Sequence, residues 1–291
     1  LFLYDFSFNH KINLENFRLL LKSYVSYFII TIFYLVVRFS VLHQVGRTGT
    51  YFEQSFFGTA LTTAKIFVEY IILLFLPINL TTEHVVKFET SILSIGFIVS
   101  LLILLLIFFL FIKSYKKSKI LFFSIGWFFL TLLPFSNLMP TFNLMAERYL
   151  YLPSYGFCLF LGYFLFKIKK IEGIKTYSKI VIVILIVLIT SAYIILTIQR
   201  NAEWRDNFTL LTTSIERSPL GTRSYHTLAL YYREKGDYET ATKYALRAIE
   251  LASKNYNAYE NLGTIKAYQK KYDEAIYYYN KSLELEPNFY L

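Results

Sequence analysis

Cysteine is almost absent: Cys158 is the single one in 291 residues, and it lies inside an apolar run. No disulfide framework and no cysteine-based metal site can form within this chain. Histidine is scarce too. His10, His43, His84 and His226 show no ligand spacing, so no metal site is evident. Aspartate is missing from the whole of residues 23–199, where the acids are Glu53, Glu69, Glu83, Glu89, Glu147 and Glu172. A nucleotide-binding loop is lacking as well. "GRTGT" at 46–50 is short and has no Gly-Lys-Ser/Thr ending. The chain opens on Leu1 within "LFLYDF", without the basic start and cleavage site of a signal peptide. It reads as a fragment whose N-terminal part, with further spans, lies outside it.

Apolar residues are plentiful. The chain is 55% hydrophobic and 20% aromatic, more apolar than a water-soluble globule. Residues 91–112, 120–138, 149–166 and 180–198 run without a charge, and 23–42 is broken only by Arg38. A helix needs about 20 apolar residues to cross a bilayer core, so these five segments are expected spans of an integral membrane protein. Residues 56–80 are apolar but carry Lys65 and Glu69 four apart on one helix face. They are expected to be re-entrant, interfacial or a sixth span.

The net charge of +10 is uneven. Residues 1–199 hold 17 Lys+Arg against 8 Asp+Glu, and residues 200–291 hold 13 against 12. Nine lysines fall in "KSYKKSK" (113–119) and "KIKKIEGIKTYSK" (167–179). Lysine clusters between spans follow the positive-inside rule and need no nucleic acid to explain them. With both clusters cytoplasmic, the connection holding Glu147 and Arg148 faces outward, as does everything after Arg200.

The tail repeats itself at a period of 34. Tyr225 matches Tyr259, Leu228 matches Leu262, Ala229 matches Gly263, Tyr238 matches Tyr272 and Ala241 matches Ala275. Trp204 falls on the Tyr238 position one period earlier. A 34-residue helix-turn-helix repeat is the tetratricopeptide pattern. Small residues let the paired helices approach, and the aromatics Trp204, Tyr225, Tyr238, Tyr259 and Tyr272 are expected to pack the repeats or meet an acceptor. The expected architecture is all-α: a transmembrane bundle over 1–199, then a solenoid over 200–291. The solenoid comprises a half repeat at 202–219 and repeats at 222–255 and 256–289.

The connection "LLPFSNLMPTFNLMAERYLYLPSYGF" carries the remaining polar groups. Pro134 and Pro140 stop a helix, and Ser136 and Asn137 offer hydrogen bonds to freed backbone. Interfacial tyrosines such as Tyr149 and Tyr151, and a snorkelling arginine, are ordinary at a membrane surface. The alternative is that Arg148 holds a phosphate, since its planar fork of donors suits phosphate oxygens. Glu147 would orient it or help bind a polar acceptor, and Arg38 is a candidate second contact. The Asn-X-Ser/Thr triplets at Asn79, Asn207 and Asn280 do not fix the compartment.

"LMAERYLYLPSYGFCLF", preceded by "LLPFSNL" and followed by a span, "QRNAEWRDNFTLL" and tetratricopeptide repeats, resembles the transmembrane and tetratricopeptide repeat-containing protein family and its prokaryotic relatives. The order of "LFLYDF", a span and "YIILLFLPINLT" is similar as well. The resemblance implies a C-type membrane glycosyltransferase. Its donor would be a polyprenyl-phosphate or dolichyl-phosphate sugar, transferred on the extracytoplasmic face. Eukaryotic members are linked to protein O-mannosylation. The family's catalytic acid lies in a first outer loop that this chain lacks, so no catalytic residue is assigned here. The resemblance implies membrane lipid, a polyprenyl-phosphate sugar and a protein acceptor as partners, with a divalent metal conceivable in the full-length enzyme. Two rivals remain open: a membrane anchor displaying repeats as an envelope scaffold, and an envelope polysaccharide ligase or polymerase.

Overall fold

A computed structural model describes residues 2–8, 14–42, 55–137, 143–169 and 176–287. Pro140, "GRTGT" at 46–50, Glu53 and Glu172 lie outside these. The described residues are helical with no strand, as composition and periodicity require. The helices are α1 (Phe2–Phe8), α2 (Leu14–Leu42), α3 (Phe56–Phe75), α4 (Ile95–Lys117), α5 (Lys119–Leu132), α6 (Pro153–Lys169), α7 (Thr176–Glu203), α8 (Asn207–Arg217), α9 (Thr222–Glu234), α10 (Tyr238–Leu251), α11 (Tyr256–Tyr268) and α12 (Tyr272–Leu285). They fall into two compact units, residues 1–76 with 86–183 and residues 77–85 with 184–291.

Helix starts follow side-chain chemistry. Ser55, Ser94 and Ser118 accept from the amides of Gly58, Phe97 and Leu121, which opens α3, α4 and α5. Ser118 also ends α4, so the first lysine cluster is helical on either side of one residue. Lys113 and Lys119 lie over the rings of Phe109 and Tyr115, their stems on apolar surface.

Among the described residues four helices are long and apolar enough to cross a membrane, with windows at Tyr24–Val41, Phe56–Phe75, Ile95–Lys117 and Ile180–Glu203. Three of them keep large apolar side chains exposed along most of their length, among them Phe33, Leu106 and Ile184. A helix apolar on every side and not covered by protein is a membrane helix. The chain is accordingly a membrane protein. α5 and α6 are shorter, at 14 and 17 residues. A 3-10 turn over Leu133–Phe135, with Pro134 in its first positions, finishes α5.

In the first unit α4, α5 and α6 pack in sequence order, and α3 packs on α4. Gly156 permits close contact of α6 with α5, because a Cβ there would stand 2.6 Å from the Ser124 carbonyl oxygen. The core joins Ile66 and Tyr70 of α3 with Phe128 and Leu132 of α5 and with Met145 and Leu150. An apolar cavity of about 730 Å³ lies beside it, lined by residues such as Phe67, Leu101, Phe108, Phe111, Phe129 and Leu133.

In the second unit α9–α10 and α11–α12 are two helix hairpins, with α8 packed on α9. Ala229, Ala241 and Ala275 are buried at the positions chosen for small residues. At Gly263 a Cβ would meet the Tyr279 ring at 2.9 Å. Residues 77–85 lie on the first helices of this unit. The Leu80 carbonyl accepts from Arg200 (3.2 Å) and Arg217 (2.7 Å), and both guanidiniums also hold the Glu203 carboxylate. Thr82 donates to Ser214 Oγ (2.9 Å). The N-cap of α9, Gly221, offers no side chain, and Glu83 Oε2 accepts from the Arg223 amide instead (2.8 Å).

Candidate functional site

The connection from Leu133 to Leu152 is built on α3 and α5. Tyr70 is fully buried, and its hydroxyl accepts from the Ala146 amide (2.9 Å) and donates to the Ala146 carbonyl (3.3 Å). One phenol thus satisfies both main-chain groups of a residue 76 positions away. Asn137 adopts a left-handed backbone (φ 55°), is buried, and donates through Nδ2 to the Leu144 carbonyl (3.1 Å). Ser136 Oγ is buried without a hydrogen-bond partner.

These bonds present a 3-10 turn over Glu147–Leu150. Tyr149 stacks on Phe135, with ring centroids 4.1 Å apart and planes 12° apart. Arg148 is exposed, and its guanidinium lies 5.0 Å from the Tyr149 ring centroid. Glu147 is half-buried beside it, and Tyr151 is exposed. The connection carries Asn137, Glu147, Arg148, Tyr149 and Tyr151, with Arg148 against the Tyr149 ring. Arg38 is held separately on α2, where it donates to the Tyr34 hydroxyl at 2.6 Å. Chemically, an exposed guanidinium backed by two stacked rings is a fixed cation with donor capacity, suited to an oxyanion at a membrane surface.

A second polar cluster was not singled out by the sequence. Lys65 pairs with Glu89 (3.4 Å), a contact between α3 and the segment before α4 rather than along one helix face with Glu69. The Ser94 hydroxyl and then Lys65 hold the buried Glu89 carboxyl below the usual range. Glu89 N donates to Thr62 Oγ1 (2.9 Å), and a Cβ at Gly96 would stand 2.8 Å from Glu89 Oε1. Only local cues, a glutamate before a Ser-capped helix and a Gly two residues in, pointed here. Among the described residues no group of three or more metal-ligating side chains is present.

The aromatic positions of the repeats divide. Tyr238 stacks on Tyr268 of the next repeat, with centroids 5.6 Å apart. Tyr225 meets Tyr244 within its own repeat, and Tyr259 is half-buried. Trp204 is 59% exposed with Arg200 over its ring, and Tyr272 is 62% exposed.

Tetratricopeptide-repeat family models match residues 222–255 and 256–289. The chain is 28% identical over 178 residues, 61% of its length, to "Protein O-mannosyl-transferase Tmtc3" of Drosophila melanogaster. It is 31% identical over 135 residues, 46% of its length, to "Protein O-mannosyl-transferase Tmtc2" of the same organism. It is 28% identical over 157 residues, 53% of its length, to "Protein O-mannosyl-transferase TMTC3" of Mus musculus. The chain spans 19%, 14% and 17% of these three relatives. The repeats, the apolar helices before them and these similarities together relate the chain to the transmembrane and tetratricopeptide repeat-containing protein family.

Proposed function

We propose that the chain is the repeat-bearing part of a membrane glycosyltransferase. It would move a sugar from a polyprenyl-phosphate or dolichyl-phosphate carrier to a protein acceptor, as an O-mannosyltransferase does. The observation that carries this reading is Arg148, exposed on the Tyr149–Phe135 stack and fixed through Tyr70. In the reaction an acceptor hydroxyl attacks the anomeric carbon, the bond from that carbon to the phosphate oxygen breaks, and the polyprenyl phosphate leaves. Arg148 steadies the phosphate as negative charge gathers on it. Glu147, the residue before it in the chain, is assigned the role of orienting it. No residue of this chain is assigned as the base that takes the hydroxyl proton.

The apolar cavity beside α5 supports a lipid-linked donor, because Leu133 lines it and Phe135, two residues on, carries the Tyr149–Arg148 stack. In this reading the connection and the repeats share the extracytoplasmic side. α3 would then lie against that face, a reading supported by the contacts of Thr62 with the segment before α4 and of Tyr70 with the connection after α5.

The test supplies radiolabelled polyprenyl-phosphate mannose and other polyprenyl-phosphate sugars to the full-length protein that carries this chain, with an acceptor protein. Arg148→Ala is expected to lower transfer by about a hundredfold, the scale of losing one charge-stabilising donor. Unchanged transfer in the variant removes Arg148 from the site. No transfer by wild type with any sugar assigns the chain to the non-enzymatic scaffold role, which the intact repeat pair also supports.

A further inference from the structure

Four lysines fall within seven residues where α4 meets α5: Lys113, Lys116, Lys117 and Lys119. Only Ser118 separates the two helices, so all four stand on helical turns rather than in a loop. α6 supplies a fifth. Trp127 Nε1 of α5 donates to the Leu152 carbonyl just before α6 (2.9 Å), and Gly156 lies on Ser124, three residues earlier in α5. Rising numbers in α6 thus meet falling numbers in α5. The antiparallel helix delivers Lys167, which is exposed, to the same end.

Three of these cations are held in place. Lys113 Nζ stands 5.5 Å from the Phe109 ring centroid, Lys119 Nζ 4.5 Å from that of Tyr115 and Lys167 Nζ 5.7 Å from that of Tyr163. The Tyr115 ring is itself fixed, stacked on Phe6 of α1 and set edge-on to Phe122 of α5, each at 5.2 Å. No acidic residue occurs in α4, α5 or α6. Asp5, next to Phe6 on α1, accepts from the Tyr24 hydroxyl. Among the described residues none of the five lysines has an ion-pair partner. The positive-inside rule acts through the number of charges in a connection. It does not require that any of them be pinned in the finished fold. Ammonium groups laid on rings, at the end of helices whose flanks are apolar and exposed, are arranged for a ligand.

We propose that this lysine end binds the headgroup of an anionic phospholipid in the leaflet that faces it. Charge complementarity names the partner: five cations with no carboxylate among them call for a phosphate that keeps its net negative charge. The flank of α4 leading to the cluster, with Leu105, Leu106 and Phe109 exposed, offers the acyl chains an apolar surface. A soluble phosphate has no use for that surface, whereas a phospholipid uses both parts. A zwitterionic headgroup brings its own cation to the lysines and is disfavoured. Near an anionic headgroup each lysine strengthens association by about fivefold. The inference is independent of the transferase reading, because it concerns the opposite ends of α5 and α6 from Arg148.

The test reads binding of tritiated phosphatidylglycerol to the full-length protein in uncharged detergent by scintillation proximity. Unlabelled phosphatidylglycerol, phosphatidylcholine and inorganic phosphate compete at equal ionic strength. Phosphatidylglycerol is expected to compete at least about tenfold better than phosphatidylcholine, and inorganic phosphate not to compete. The triple variant Lys116→Gln, Lys117→Gln, Lys119→Gln is expected to weaken phosphatidylglycerol binding at least about tenfold with an unchanged melting temperature. The lysines of 167–179 still mark the topology in it. Lys235→Gln, Lys243→Gln, Lys254→Gln removes the same charge from exposed positions of the repeats and retains wild-type binding. Wild type alone gives a second measure that needs no variant to fold. Raising ionic strength from about 0.05 M to about 0.5 M screens the headgroup and is expected to weaken binding at least about fivefold. Equal competition by the two phospholipids overturns the site, as does wild-type affinity in the folded lysine variant or binding indifferent to salt. Displacement by inorganic phosphate assigns the lysines to a soluble anion and overturns the lipid.

Discussion

Tyr70 shows how far a single side chain reaches in this protein. Its hydroxyl bonds both main-chain groups of Ala146, and it does this from a fully buried position. Replacing it with Phe keeps the ring and strips both bonds. The buried Ala146 amide is then unpaired, so Tyr70→Phe is expected to cost about 1–3 kcal/mol. Hydrogen exchange at Ala146–Tyr149 should quicken while exchange in α10–α12 stays unchanged. An unaltered exchange pattern would show that the connection is held by its apolar contacts alone. Arg148 was legible in the sequence because a charge next to an apolar run is conspicuous. Tyr70 was not, because its partner lies 76 positions away and nothing local marks the pair. The partner of Lys65 was hidden for the same reason. Helical spacing pointed to Glu69, while the fold supplies Glu89 at 3.4 Å.

At the scale of elements the repeats were the most readable part. Each of their signals is local: a small residue where helices cross, an aromatic where they stack, an aspartate that caps. Asp206 and Asp237 accept from the amides of Thr209 and Thr240 at the starts of α8 and α10. The period also exposes a mismatch. Gly236, with φ 79°, turns α9 into α10, and its counterpart 34 residues on is Lys270, with φ 61°. The flanking bonds are the same in both turns. Asp237 N reaches the Tyr232 carbonyl at 3.0 Å, and Lys271 N reaches the Lys266 carbonyl at 2.9 Å. A left-handed backbone costs a side-chain-bearing residue about 1–2 kcal/mol relative to glycine. Lys270→Gly is therefore expected to stabilise the second hairpin by about 1 kcal/mol in thermal unfolding, and Gly236→Lys to destabilise the first by a similar amount. A loss of stability in Lys270→Gly would mean that unfolded-chain entropy outweighs the strain. The membrane helices were less readable. Length and hydropathy mark α3 as able to cross, yet Thr62 and Tyr70, eight residues apart, touch segments that follow one another only after α4 and α5 have gone out and back. That information is long-range and absent from any window of sequence.

For the whole molecule the decisive question is sidedness, which charge asymmetry alone proposes. Single-cysteine variants in a Cys158→Ala background answer it in sealed vesicles with an impermeant maleimide. Lys116→Cys, Tyr151→Cys and Asn280→Cys all report from exposed positions. Tyr151→Cys and Asn280→Cys are expected to label together, with Lys116→Cys shielded until the vesicles are opened. Labelling of Tyr151→Cys together with Lys116→Cys would separate the arginine-bearing connection from the repeats and end the proposed geometry. The order of helices and repeats was legible because lipid and helix stacking each impose a period on the chain. The division into units was not, because residues 77–85 sit between two apolar helices in sequence yet belong with 184–291 in space.

That discontinuous inheritance bears on anyone cloning the solenoid. A gene fragment starting at Arg200 reads as self-contained, yet it would be born without Glu83 at the head of α9 and without the Leu80 carbonyl that two arginines share. Recombinant pieces cut at that tempting boundary will have raw ends, and grafting the nine-residue stretch 77–85 ahead of them through a flexible spacer is the repair.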